Sequence, residues 1–280
     1  MTKRALLIGI NYIGTANQLR GCINDVANMR EVLIGHYHYL PENIVVLRDD
    51  SPDTRLNPTS ENILMNLRQL VSMSSQSSEI WVHYSGHGSS IRDTNGDEAS
   101  GMDSVIIPLD YQKTGVISDD TLFNIIRTSA CPTIVMFDSC NSGTVCDLQW
   151  SFHCETRKKQ LTFHRTKNNN KSTSNLSIFT MSGSRDDQTS ADAYENASKT
   201  YGGAFTCALL QCMIDLKYNG NIFTLYSATC NLLKHRGFSQ IPILSSSSMT
   251  PNFIFTGAKS SLMVNNNQRH LPKILSMRFH

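Results

Sequence analysis

The chain has 280 residues, enough for one large domain or two small ones, and no composition shift or long linker forces a division. Its 25 basic and 23 acidic residues leave a formal charge of +2, which removes any global electrostatic case for nucleic acid or an anionic membrane as partner. No apolar run approaches the roughly 18 to 20 residues of a bilayer span, and eight cysteines without a Cys-x-x-Cys spacing make neither a disulfide framework nor a paired zinc site, so the expectation is a cytoplasmic protein with free core thiols.

In chain order, Arg4 to Ile10 reads as a buried strand, followed by a polar loop and a helical pattern from about Asn24 to Leu33 with Val26, Met29 and Leu33 on one face. Ile44 to Leu47 is a second strand. Thr59-Ser60-Glu61-Asn62 has the form of a capped helix start, continued by the stripe Ile63, Leu64, Leu67 and Leu70. Ile80 to Tyr84 is a strand that runs into Ser85-Gly86-His87-Gly88. Asp103 to Pro108 suits another strand, Asp119 to Arg127 a helix capped by Ser118, and Thr133 to Phe137 a strand that runs into Asp138-Ser139-Cys140-Asn141-Ser142-Gly143. Arg157 to Lys171 carries six cations and no acid, and reads as a solvated loop or a protease-sensitive connection. Leu176 to Met181 restarts the sheet, Gly203 to Leu216 and Phe223 to His235 are helices, Asn252 to Phe255 is a late strand, and 258–280 is a peripheral tail. Strands alternating with helices imply an α/β domain whose mainly parallel sheet is covered on both faces.

Two strands therefore end in exposed, glycine-flanked elbows, one carrying an imidazole and the other a thiol. In open α/β sheets reacting groups gather at the carboxyl ends of strands, so the elbows can meet in space. A cysteine attacks a carbonyl as its thiolate, and a nearby histidine can promote ionisation and later protonate the leaving amine. His87 and Cys140 are the candidate catalytic pair, and the amides of Gly88 and Cys140 are natural oxyanion donors.

Tyr84-Ser85-Gly86-His87-Gly88 and Asp138 to Gly143 resemble the catalytic histidine and cysteine motifs of metacaspases, family C14 of the caspase-like clan of cysteine peptidases. The His-to-Cys spacing is similar to the roughly fifty residues of caspases, but Gln-Ala-Cys, the caspase signature, is absent. Further similar segments are Leu19 to Asp25, Ile117 to Asp120 and Asp187 to Ala193; Ser184 stands where the family usually carries cysteine. The resemblance implies a caspase-like fold with a twisted, mainly parallel eight-stranded sheet. It divides residues 1–257 into a p20-like part of about 1–150, a basic connecting loop of about 151–175 and a p10-like part of about 176–257. The order resembles type I members without a Pro-rich extension, and without the long insertion of type II.

By the same resemblance the protein is a monomeric endopeptidase for proteins or peptides with Arg or Lys before the scissile bond. Asp25 and Asp138, with Cys22 and Ser85, match the substrate pocket; two carboxylates in a partly desolvated slot pair with a cation and repel an acid. A turn-capping role is the alternative for Asp138. Asp103, Asp119, Asp120 and Asp147 match a calcium site, and carboxylates are the ligands that hard cations take; for Asp119 and Asp120 the alternative is charge compensation at a helix start. Calcium is thus the expected activator. Basic residues between Arg157 and Lys171 are candidate self-cleavage points. Two other functions stay open: a caspase-fold scaffold with little turnover, and a caspase-like protease specific for aspartate.

Overall fold

Strands that are apolar at residues of both parities need cover on two faces. The computed structural model describes residues 2–92, 101–139, 148–157, 160–168, 173–183, 192–195 and 200–257. The first half runs β1 (Thr2–Gly9), α1 (Cys22–Gly35), β2 (Ile44–Arg48), α2 (Ser60–Ser72), β3 (Ser77–Ser85), β4 (Gly88–Arg92), β5 (Met102–Ile106), α3 (Tyr111–Thr114), β6 (Ile117–Ser118), α4 (Asp119–Ile126) and β7 (Thr133–Asp138). The second half runs β8 (Trp150–Arg157), β9 (Gln160–Lys167), β10 (Ile178–Ser182), β11 (Asp192–Glu195), β12 (Thr200–Gly203), α5 (Ala204–Asp215), β13 (Asn219–Asn221), α6 (Ile222–His235), β14 (Ile243–Ser246) and β15 (Ile254–Thr256).

Eight strands form the main sheet in the order β2-β1-β3-β7-β10-β14-β8-β9. The first five are mutually parallel, and β14, β8 and β9 continue the sheet with antiparallel pairings. Ala5, Leu7, Trp81, Ile134 and Met136 join one apolar core with α1, α5 and α6. Leu6, Ile8, Val82, Val135 and Phe137, of the opposite parity, join a second core with α2 and α4. This is the caspase-like α/β arrangement that the sequence implies, with both faces of the sheet covered.

Among the described residues, local chemistry explains three of the six α-helix starts. Thr59 accepts from the Asn62 amide at α2, Ser118 from Thr121 at α4, and Asn221 from Thr224 at α6. The open-loop reading of Arg157 to Lys171 needs correction: Arg157 ends β8, and residues 160–167 are β9, the edge strand of the main sheet. The reason is alternation, with Phe152, Cys154, Leu161 and Phe163 turned into the core between polar neighbours. The late strand forms as β15, which pairs with β13 outside the main sheet, while β14, not read from sequence, takes the place beside β10.

Candidate active site

Because β3 and β7 are parallel neighbours in register, Ser85 lies opposite Asp138 and both strands end at the same rim. The Gly86 amide donates to the Asp138 carbonyl at 3.2 Å, which ties the two elbows together. Ile10 donates to the Ser85 carbonyl at 3.0 Å and Gly183 to the Phe137 carbonyl at 2.8 Å, so the ends of β1 and β10 join the same rim. Ser139 is buried, but Cys140 lies outside the described residues. His87 and Gly88 are half-buried at the mouth of this rim.

Two buried tyrosines hold the His87 elbow. Tyr12 Oη accepts the His87 amide at 3.0 Å and donates to the Ile107 carbonyl at 2.6 Å, while Tyr84 Oη donates to the His87 carbonyl at 2.7 Å. Burial pushes both phenols above their ordinary pKa, so they remain protonated donors at neutral pH. Tyr12 adopts a left-handed φ of 52°, a conformation that costs roughly 1–2 kcal/mol for a residue with a Cβ; its two hydrogen bonds offset that strain. A Cβ on Gly86 would sit 2.7 Å from Tyr84 Oη, so only glycine lets the elbow close over this phenol.

The imidazole of His87 lies against Tyr12, with ring centroids 4.6 Å apart, and its Nε2 is 2.7 Å from the Asn17 carbonyl. A carbonyl only accepts, so Nε2 carries the proton of the neutral ring. Nδ1 is then the lone-pair nitrogen available as a base.

The predicted pocket residues do meet. Asp25 accepts from Ser85 Oγ at 2.7 Å and from the Gly203 amide at 3.0 and 3.1 Å. Asp138 accepts from the Thr206 amide at 2.8 Å. Cys22, at the start of α1, is buried and close enough to raise the Tyr12 and Tyr84 phenols slightly. Beneath this cluster lies His83, fully buried on β3, with Nε2 3.3 Å from Thr206 Oγ1. Burial lowers its pKa to about 3, so it is neutral.

Three of the four predicted calcium residues lie among the described residues. Asp103 and Asp119 are buried, Asp120 is half-buried, and Asp147 lies outside the described residues. Asp119 accepts from the Ser104 amide at 3.1 Å and the Asp120 amide at 2.8 Å. The donor chemistry suits a hard cation. Among the described residues, however, no group of three or more His, Cys, Asp or Glu is placed to hold a metal ion.

Tyr12, Asn17, Gly203 and Thr206 belong to the site and have no place in the motifs read from sequence. Tyr84 falls inside the histidine motif, where its strand position conceals that its hydroxyl returns to His87. The only advance signal for the others is Gly202-Gly203 directly before a helix.

The rim defined by β3, β7 and β10 belongs to a caspase-like fold. Caspase-1 from Spodoptera frugiperda superposes with a TM-score of 0.55 at 12% identity, over 88% of this chain and 87% of that one. A Geobacter sulfurreducens protein superposes with a TM-score of 0.59 at 18% identity, over 89% and 95%. At those identities the likeness is one of fold. Residues 3–149 match the family model for the metacaspase, peptidase C14 domain. Metacaspase-1 of Debaryomyces hansenii is 35% identical over 88% of this chain and 64% of its own length, and that of Meyerozyma guilliermondii 34% identical over 88% and 69%. The chain belongs to the metacaspase family, and it spans about two thirds of the length of these relatives. Among the described residues, no helix is long and apolar enough to cross a membrane.

Proposed function

We propose that the protein is a calcium-activated cysteine endopeptidase that cleaves polypeptides after Arg or Lys. The observation that carries this reading is the joined rim: His87 and the strand leading to Cys140 leave adjacent, in-register strands tied by the bond from Gly86 to Asp138. His87 Nδ1 takes the thiol proton of Cys140, and the thiolate attacks the scissile carbonyl. The amides of Gly88 and Cys140 hold the resulting oxyanion. The proton then passes from Nδ1 to the leaving amine, and water, deprotonated by the same imidazole, releases the acyl group from sulfur. The Nε2–H bond to Asn17 keeps the ring in the tautomer that this sequence needs.

Basic specificity follows from Asp25 and Asp138, whose buried carboxylates face one glycine from two sides. Calcium, when bound by Asp103, Asp119, Asp120 and Asp147, supplies charge neutralisation beside the site and takes no part in bond breaking. The enzyme works as a cytoplasmic monomer without nucleic-acid or membrane partners. Arg165 and Lys167 on the edge strand β9 oppose strand-to-strand pairing, which supports the monomer.

Matched Arg, Lys and Asp peptides, given to wild type and Cys140→Ala with calcium or a chelator, test the reading. Cleavage of Arg and Lys peptides is expected from wild type with calcium alone. Equal activity in Cys140→Ala overturns the mechanism. Cleavage of Asp peptides, indifferent to loss of Asp25, would make it an aspartate-specific protease, and no cleavage under any condition a scaffold.

A further inference from the structure

Among the longer helices that follow α1, α5 alone starts without a side chain of its own as cap. It begins after Gly203, and its first amides are taken by acids from elsewhere. Gly203 N–H donates to both oxygens of Asp25 on α1, and Thr206 N–H to Asp138 Oδ2 at the end of β7. The carboxylates assigned above to a basic side chain are therefore engaged in holding the α5 N-terminus. They are also shut away, with Asp25 1% and Asp138 4% exposed. The Gly203 backbone lies between them, and a Cβ there would fall well inside contact distance of the Asp138 carboxylate. The φ of −65° at Gly203 suits any residue, so glycine is needed for space and not for conformation.

We infer that Gly203 is a specificity-determining residue: its amide closes the pocket over Asp25 in the resting protein and gives way when an Arg or Lys side chain enters. The inference rests on the basic-pocket reading of Asp25 and Asp138. A guanidinium or ammonium brings a full positive charge to oxygens that the amides satisfy with partial charges, so the exchange favours a cation. An apolar or acidic side chain has no donor to return to carboxylates stripped of their amide partners, and for it the pocket stays closed. Selectivity thus comes from the cost of opening as well as from attraction. His83, under Thr206 at 3.3 Å, is placed to steady the turn that moves.

Amide hydrogen exchange on the full chain, with agmatine as a guanidinium probe that has no scissile bond, tests the inference. Saturating agmatine is expected to speed exchange at Gly203 by roughly tenfold or more, as the amide loses its carboxylate partner. Gly203→Ala is expected to lower kcat/KM for Arg peptides at least about tenfold, while iodoacetamide labels Cys140 at the wild-type rate. Unchanged or slower exchange at Gly203 with agmatine bound, or wild-type Arg cleavage by Gly203→Ala, overturns the inference. If Asp25→Asn loses Arg cleavage while Gly203 exchange does not respond to agmatine, the latch fails and the pocket stands. If Asp25→Asn and Asp138→Asn cleave Arg peptides as wild type does, the pocket reading fails and the latch with it.

Discussion

The backbone of the His87 elbow is held by the neutral phenols of Tyr12 and Tyr84, whereas the acids of the adjoining pocket are held by charge-assisted bonds from the amides that open α5. The two regions share a rim and respond to different variables. Phenols raised above their ordinary pKa do not titrate between pH 4 and 9, so the elbow keeps its geometry across that range. The pocket acids stand over His83, a buried histidine that desolvation keeps neutral. The elbow is thus braced by groups that do not titrate in that range, and the neighbouring carboxylates stand over a histidine whose protonation the fold opposes.

The largest expected effect lies on the pocket side and depends on pH. The folded pKa of His83 is about 3, below the 6.5 of an unperturbed histidine. Above pH 6.5 neither state binds the proton, and the residue contributes no pH dependence. As pH falls from 6.5 toward 3 the unfolded chain binds a proton that the folded one refuses, so stability is lost. At pH 5 the loss is about 2 kcal/mol. His83→Leu removes the term. The replacement also removes the 3.3 Å bond to Thr206 Oγ1, so it is expected to cost about 1 kcal/mol at pH 7, while wild type loses about 2 kcal/mol between pH 7 and 5 that the variant keeps. Urea melts at the two pH values read the difference, and parallel curves would mean that His83 is not the pH-sensitive element under the pocket.

A smaller, pH-independent loss is expected on the elbow side. Tyr12→Phe keeps the ring against His87 but strips the hydroxyl partner from the His87 amide and leaves the Ile107 carbonyl only the longer bond from Tyr84 Oη at 3.3 Å. The expected cost is about 1–2 kcal/mol of stability. Activity should fall through kcat with KM little changed, because the variant disturbs the base and leaves Asp25 and Asp138 untouched. Melts and steady-state kinetics at pH 6 and 8 give the check. A loss that grew toward low pH would erase the contrast between elbow and pocket.

Legibility in the sequence follows the same physical divide. β1, β3 and β7 are long apolar runs, and periodicity reveals them together with the two elbows. The acids of the pocket are visible as side chains, and the structure brings Asp25, Ser85 and Asp138 together. The partners that set their behaviour are backbone groups, the Asn17 carbonyl and the Gly203 and Thr206 amides, which leave no trace in residue type. Tyr12 is equally silent, because its role depends on a left-handed turn and on contacts 72 to 95 positions away. β14 is half serine and β8–β9 is thick with cations, so composition hides strands that only the register of the sheet makes evident.

The hairpin carries the smallest expected effect. Self-cleavage at the basic residues between Arg157 and Lys171 requires a peptide bond presented as a free extended segment, with backbone groups open to the cleft. Arg165 and Lys167 do not offer that: both lie in β9, paired along its whole length with β8, and both cations rest over the Trp150 ring at 5.1 and 5.8 Å. Such exposed contacts contribute about 0.5–1 kcal/mol each, so Arg165→Gln and Lys167→Gln should barely shift the melting temperature. If calcium induces cleavage in the segment, the cut positions should be those of wild type in both variants. Loss of a fragment in either variant, read by mass spectrometry, would mean that β9 leaves the sheet before the chain is cut. The edge of the sheet would then be as mobile as the pocket is inferred to be.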